Sequence, residues 1–237
     1  MRPVYELFII RWYHIFFNPF FFIRRELFKN IRQAGAGVKG KLLDFGCGIK
    51  PYRSCFPGVG EYIGLDFDGG GSPYQKQMVD VFYDGHTIPF GDGHFDALLA
   101  TEVLEHIFNP DEIVAEWSRV LKKGGSAIIT CPFAWPEHEQ PWDYARYSSF
   151  GVAALLEKHG FRVIECRKTG NWYITIIQLW VMYLYYLIPK WPVVSQLLFL
   201  VLCFPFLLLG LIGYILPVKV GRKELYLNNV IIAVKDK

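Results

Sequence analysis

Residues 42–48, Leu-Leu-Asp-Phe-Gly-Cys-Gly, constrain the fold of this chain more than any other stretch. An apolar run that stops on two glycines one residue apart reads as a buried strand feeding a tight turn. Gly46 and Gly48 remove side chains where a backbone has to come close to a ligand. A second apolar run, Tyr62-Ile63-Gly64-Leu65, closes on Asp66, with Phe67 beside it. If the two strands are parallel neighbours, that carboxylate lies next to the glycine turn, where it can accept hydrogen bonds from a ribose diol. A dinucleotide turn has the form G-x-G-x-x-G, its third glycine serving helix packing under a pyrophosphate. Counted from Gly46, the third place is Pro51. The pattern points to a nucleoside ligand without a pyrophosphate and away from a nicotinamide oxidoreductase.

Further strands and helices alternate along the chain, which predicts a parallel sheet covered on both faces. A short third strand is expected over 75–80, ending at Asp80, and a fourth from Phe95 to Ala100. Asn109-Pro110-Asp111-Glu112 opens a helix with a cap, a proline at its first position and acids in its first turn. Gly124-Gly125 is expected to stop it before a fifth strand, Ala127 to Cys131. Ser148-Ser149 caps another helix, followed by a sixth strand, Phe161 to Cys166, and a last one, Tyr226 to Val234.

The set Leu43–Gly48, Asp66, Ile88-Pro89-Phe90, Phe95-Asp96, Thr101–His106 and Arg119–Gly125 resembles the class I S-adenosylmethionine-dependent methyltransferases in order and spacing, over roughly residues 40–170. The resemblance implies an α/β fold: a Rossmann-like seven-stranded sheet with helices on both faces and its last strand antiparallel between the fifth and sixth. It implies S-adenosyl-L-methionine as cofactor, with the backbone at Gly46, Cys47 and Gly48 meeting the amino-acid part and sugar. Asp66, with Phe67, would hold the ribose; Asp44 would organise the turn or touch the ligand; Thr101 and Glu102 would line the methionine end. An acid after the third strand would face the adenine, with Asp80 the first choice and Asp84 its rival.

The acceptor side is expected in the loop Pro136–Tyr147, dense in polar and aromatic groups at the carboxyl edge of the sheet. His138 is the candidate general base for a hydroxyl acceptor, Asp143 its orienting partner, and Arg146 a grip for a phosphate or carboxylate. The other reading of the loop is a salt-bridged lid. Glu102 and His106, four apart, would share a helical face. No metal is expected, since Glu137-His138-Glu139 has no complementary histidine or cysteine pair at ligand spacing.

A net charge of +3, with no basic run or Cys/His finger, gives no indication of nucleic acid. Five scattered cysteines without a C-x-x-C pair fit a reducing, cytoplasmic setting. Arg11, Arg24 and Arg25 interrupt the apolar N-terminus, unlike an export signal; residues 5–34 read as helices broken near Asn18-Pro19, either a lid on the sheet or an interfacial membrane element. Trp172–Ile188 and Val193–Leu216 carry no charge and are separated by Pro189-Lys190-Trp191-Pro192. They read as a hydrophobic helical insert, either a buried pair or a hairpin at the inner face of the membrane. The expected organisation is N-terminal helices at 1–38, the core at 39–171, the insert at 172–216 and the closing strand at 217–237. The expected function is methyl transfer to a small or lipid-linked acceptor, a hydroxyl of a glycan intermediate of the kind met in bacterial surface-glycan assembly. The alternatives are a methyltransferase for an isoprenoid or quinone-type lipid, and a non-catalytic membrane adaptor.

Overall fold

The structure, a computed structural model, describes residues 10–69, 78–189, 192–215 and 223–236. The chain divides into two units, one of residues 29–167 with 229–237 and one of residues 1–28 with 168–228.

The first unit is built on a seven-stranded sheet of order β3-β2-β1-β4-β5-β7-β6. The strands are β1 Gly40–Phe45, β2 Val59–Phe67, β3 Val81–Tyr83, β4 Phe95–Thr101, β5 Leu121–Pro132, β6 Phe161–Lys168 and β7 Asn228–Lys235. β1 to β5 pair in parallel, and the last strand is antiparallel. Leu42, Leu43 and Phe45 are fully buried, as a strand covered on both faces must be. Register sets the site: Phe45 pairs with Leu65 and with Ala100, and Thr101 with Thr130. The residues just beyond those pairs therefore share one edge. Strand order reverses between β1 and β4, so a crevice opens at that edge beside the glycine turn.

Helix α1 (Phe21–Gly35) precedes the sheet, α2 (Pro110–Val120) joins β4 to β5, and α3 (Ser149–Lys158) joins β5 to β6. The inward face of α2 is Ile113, Val114, Trp117 and Val120, all fully buried. Trp117 meets Phe45 edge to face at 5.3 Å, which ties the helix to the central strand. Ser148 Oγ caps α3 by accepting from Gly151 N at 3.1 Å.

Three expected boundaries shift. The third strand is Val81–Tyr83, so Asp80 stands before it rather than at its end; residues 75–77 of the expected strand lie outside the described residues. Gly124-Gly125 does not stop α2, which ends at Val120 and passes directly into β5. The pairs Phe95 with Leu121 and Ala97 with Ser126 instead leave extra residues in β5, a bulge that Gly124 accommodates at φ 77°. The sequence 102–106 is not helical: Glu102 has φ 53° and only Leu104–His106 forms a 3-10 turn.

The second unit is helical, with a 3-10 turn at Trp12–Phe16 and helices α4 (Trp172–Leu187), α5 (Pro192–Leu202) and α6 (Phe204–Ile215). The second run of the insert is a helical stretch over Val193–Gly213, interrupted by a single turn residue at Cys203. Pro205 supplies the reason: without an N–H it fits only the first turn of a helix, so α6 starts there. Tyr173 Oη donates to Leu209 O at 2.9 Å, and a Cβ on Gly213 would meet Tyr173 at 2.6 Å, so α4 and α6 pack closely. Gln178 Nε2 donates to Pro19 O at 2.6 Å.

Candidate active site

The turn after β1 folds back onto β2. Leu65 O accepts from Gly46 N at 2.8 Å and from Cys47 N at 3.1 Å. Gly46 and Gly48 have φ of 68° and 49°, the left-handed region that glycine enters without strain. A Cβ on Gly48 would meet nothing within 4 Å, so there is room above the turn for a ligand. Asp66 closes the cradle: its Oδ2 accepts from Gly48 N and its Oδ1 from Phe67 N, both at 2.8 Å. Burial raises the Asp66 pKa, and those two N–H groups hold it down. Phe67 is half exposed, its ring edge-on to Tyr83. Cys47 is buried, its Sγ near Gly48 O, and burial pushes its thiol well above the usual range.

Asp44 lies beneath this turn, 2% exposed, with Oδ2 accepting from Tyr62 Oη at 2.6 Å. Burial raises its pKa to about 7 against that bond and the nearby Lys50 charge. Asp80 is engaged elsewhere than expected. Its Oδ2 accepts from Lys50 Nζ at 2.5 Å and from Gly64 N at 2.7 Å, and the bond to Lys50 lowers its pKa against a partial desolvation cost. Asp80 thus fastens the start of β3 to β2. Asp84 is the acid that follows β3 at the carboxyl edge, where it accepts from His86 N and Thr87 N at 2.8 Å each. Thr101 ends β4, and Glu102 N donates to Thr130 O at 3.0 Å while Thr130 Oγ1 donates to Glu102 Oε1 at 2.7 Å. These bonds hold Glu102 at a backbone conformation that a non-glycine residue seldom adopts.

The loop after β5 converges on the same edge. His138 Nδ1 lies 3.2 Å from Asp143 Oδ2, which also accepts from His138 N at 2.8 Å. The expected pair is therefore brought together. Arg146 is not free to grip a substrate anion. Its Nε donates to Trp135 O, its Nη1 to Asp143 Oδ1 and Ala145 O, and its Nη2 to Asp143 Oδ2 and Pro136 O. All five N–H donors of a guanidinium are used, so it braces the loop. The Arg146 guanidinium holds Asp143 far below the usual carboxylate range.

His106 and Glu105 join the site. His106 Nδ1 sits 2.7 Å from Trp142 O, and its Nε2 faces His138 Nε2 at 3.2 Å, not Glu102 as helical spacing had implied. Glu105 is fully buried between them and the core, and its backbone O accepts from Tyr144 N and Ala145 N. The dipeptide Glu105-His106 and the run Glu137-His138-Glu139 were the signal, but nothing local pairs segments so far apart. Glu139 links the two halves of the edge: its Oε2 is 4.0 Å from His106 Nε2, and its charge raises the Asp66 pKa.

Residues 43–129 match a family described as a methyltransferase domain. Over 139 residues the chain is 30% identical to an uncharacterized methyltransferase of Mycobacterium avium, covering 53% of this chain and 54% of that protein. It is 34% identical over 144 residues to an uncharacterized protein of Methanocaldococcus jannaschii, 55% of this chain and 69% of that one. The chain thus spans about half the length of the mycobacterial relatives it matches. Among solved structures, phosphoethanolamine N-methyltransferase 2 of Haemonchus contortus, in complex with S-adenosyl-L-methionine, superposes with a TM-score of 0.53 at 18% identity, covering 88% of this chain and 52% of that one.

Proposed function

We propose that the chain is a class I S-adenosylmethionine-dependent methyltransferase and that it methylates an oxygen of a small, membrane-associated acceptor, such as a lipid-linked glycan intermediate. The observation that carries the cofactor half is the cradle of Asp66 and Gly48: a carboxylate fixed by two backbone N–H groups beside a glycine with open space above it. In this reading Asp66 holds the ribose, Gly46, Cys47 and Gly48 face the amino-acid part through the backbone, and Thr101 and Glu102 line the methionine end. Asp84 takes the adenine side in place of Asp80, because it follows β3 at the edge that Asp66 occupies on β2. S-adenosyl-L-methionine supplies an electrophilic methyl group; the chain's residues orient it and the acceptor in line.

On the acceptor side, burial and the neighbouring His106 lower the pKa of His138. The ring is thereby kept neutral, the form in which an imidazole takes up a proton or a cation. The lipid half of the proposal is supported by the helical unit. Val193–Gly213 is apolar and uncharged, has the length to cross a bilayer, and is mostly not buried. The same unit has a groove of about 410 Å³ lined by Trp12, Ile15, Phe16, Phe21 and Leu208, with Arg11 and Arg25 at it, a setting for an acyl chain beside an anionic headgroup.

Calorimetry with S-adenosylhomocysteine tests the first half: saturable binding is expected, and Asp66→Ala should abolish it. Incubation with methyl-labelled cofactor and a membrane-lipid extract tests the second. Label in the organic phase is expected; label confined to water-soluble products would refute the lipid acceptor.

A further inference from the structure

We propose that Glu105, His106 and His138 form a binding site for one divalent transition-metal cation of the zinc class. The three residues bring one carboxylate oxygen and two imidazole nitrogens within 4.8 Å of one another. His106 Nδ1 faces the Trp142 carbonyl oxygen at 2.7 Å, an acceptor only, so Nδ1 carries the proton and the Nε2 lone pair points inward. That lone pair meets His138 Nε2 at 3.2 Å. Two nitrogens on a tetrahedral zinc, each bonded at 2.0–2.1 Å, stand about 3.3 Å apart. The His138 ring has Asp143 Oδ2 behind it, 3.2 Å from Nδ1. A carboxylate behind one ligating imidazole and a backbone carbonyl behind the other are the outer partners that fix ring orientation in metal sites.

A proton shared by the two rings would account for the imidazole contact alone. It leaves Glu105 unexplained. That side chain is 0% exposed, and among the described residues neither of its oxygens meets a hydrogen-bond donor. Leaving a buried carboxyl group unsatisfied is costly, whereas a cation in the gap would satisfy it together with both rings. Glu105 Oε1 lies 3.8 Å from His106 Nε2 and 4.0 Å from His138 Nε2, about 0.5 Å beyond the edge of a zinc tetrahedron, which a small rotamer adjustment closes. Two imidazoles in the set select zinc-class ions over magnesium. If the methyl-transfer reading holds, the cation's remaining position takes the acceptor oxygen and lowers its pKa; cation binding itself does not depend on that reading.

The test uses the full chain freed of metal by dialysis against a chelator, then titrated with zinc chloride and, in parallel, with cobalt(II). One equivalent should bind, and cobalt should give the visible absorption of a low-coordinate nitrogen–oxygen site without a thiolate band. Glu105→Gln and His106→Ala should each weaken binding by about 100-fold or more. S-adenosylhomocysteine binding by Glu105→Gln, measured on the same preparation, establishes that the fold is intact. Absence of saturable binding by the parent, or equal affinity in a folded Glu105→Gln chain, would overturn the proposal. A failure of the methyltransferase reading would show separately, as a parent that binds cobalt but not S-adenosylhomocysteine.

Discussion

Gly46 and Gly48 share a left-handed backbone, but a side chain at each would meet different surroundings. A Cβ on Gly46 would come within 2.3 Å of Val103 Cγ2, whereas one on Gly48 would enter open space. Gly46→Ala therefore combines backbone strain with overpacking and should cost about 2–4 kcal/mol of stability, read from the denaturant midpoint. Gly48→Ala should cost only about 1–2 kcal/mol, yet weaken S-adenosylhomocysteine at least about tenfold in calorimetry, because its methyl group occupies the ligand's side of the turn. Asp44 makes a prediction in pH. Its carboxyl is raised to about 7 when folded, mainly by burial, from an ordinary value of 3.8. The folded state then holds a proton that the unfolded state has lost. This favours folding fully below about pH 4, and the advantage fades as pH rises through 7. Asp44→Asn should flatten that slope, removing a pH-dependent difference on the order of 4 kcal/mol between pH 4 and 7 in thermal or denaturant melts.

At the scale of the element, the two caps expected before α2 and α3 behave differently. Ser148 Oγ accepts from Gly151 N, whereas Asn109 makes no side-chain cap bond and donates to the Glu112 carboxylate on the surface. Ser148→Ala should lose about 1 kcal/mol and Asn109→Ala less than about 0.5 kcal/mol in urea unfolding. The contrast marks what a sequence carries. β1, the glycine turn and β2 were legible because each is fixed by local rules: an apolar run, a residue that tolerates positive φ, an acid at a strand end. β3 was misplaced because three residues are too few to show a period, and Asp80 looked like a strand-end acid when it is a tie to Lys50. The meeting of His106 with His138 was illegible for another reason: it spans 32 residues and depends on how two loops leave β4 and β5. Arg146 was misread for the same cause, since the carbonyls that consume its donors come from the folded loop and not from any pattern of side chains.

At the scale of the whole molecule, the question is why a chain with a methyltransferase sheet carries so much apolar surface in its helical unit. Trp180, Tyr183, Leu197, Val201, Leu208 and Ile212 are all exposed, and Trp12 is 76% exposed. Scattered apolar residues on a surface need no explanation, but runs of them on successive helices are the mark of a partner or a bilayer. The net charge of +3 favours an anionic leaflet over a neutral one. The full chain should therefore float with vesicles containing phosphatidylglycerol, and recovery should fall in high salt as the electrostatic part is screened. Leu197 and Val201 are 60% and 69% exposed, so Leu197→Glu with Val201→Glu disturbs little of the fold while removing two side chains that a bilayer would take up. Burying such a pair is worth roughly 3–6 kcal/mol, so the double variant should lose vesicle binding by at least about tenfold while S-adenosylhomocysteine binding is unchanged. Equal flotation of the two proteins would refute a bilayer on this face. An accompanying shift from oligomer to monomer in the double variant would assign the face to a second copy of the chain instead.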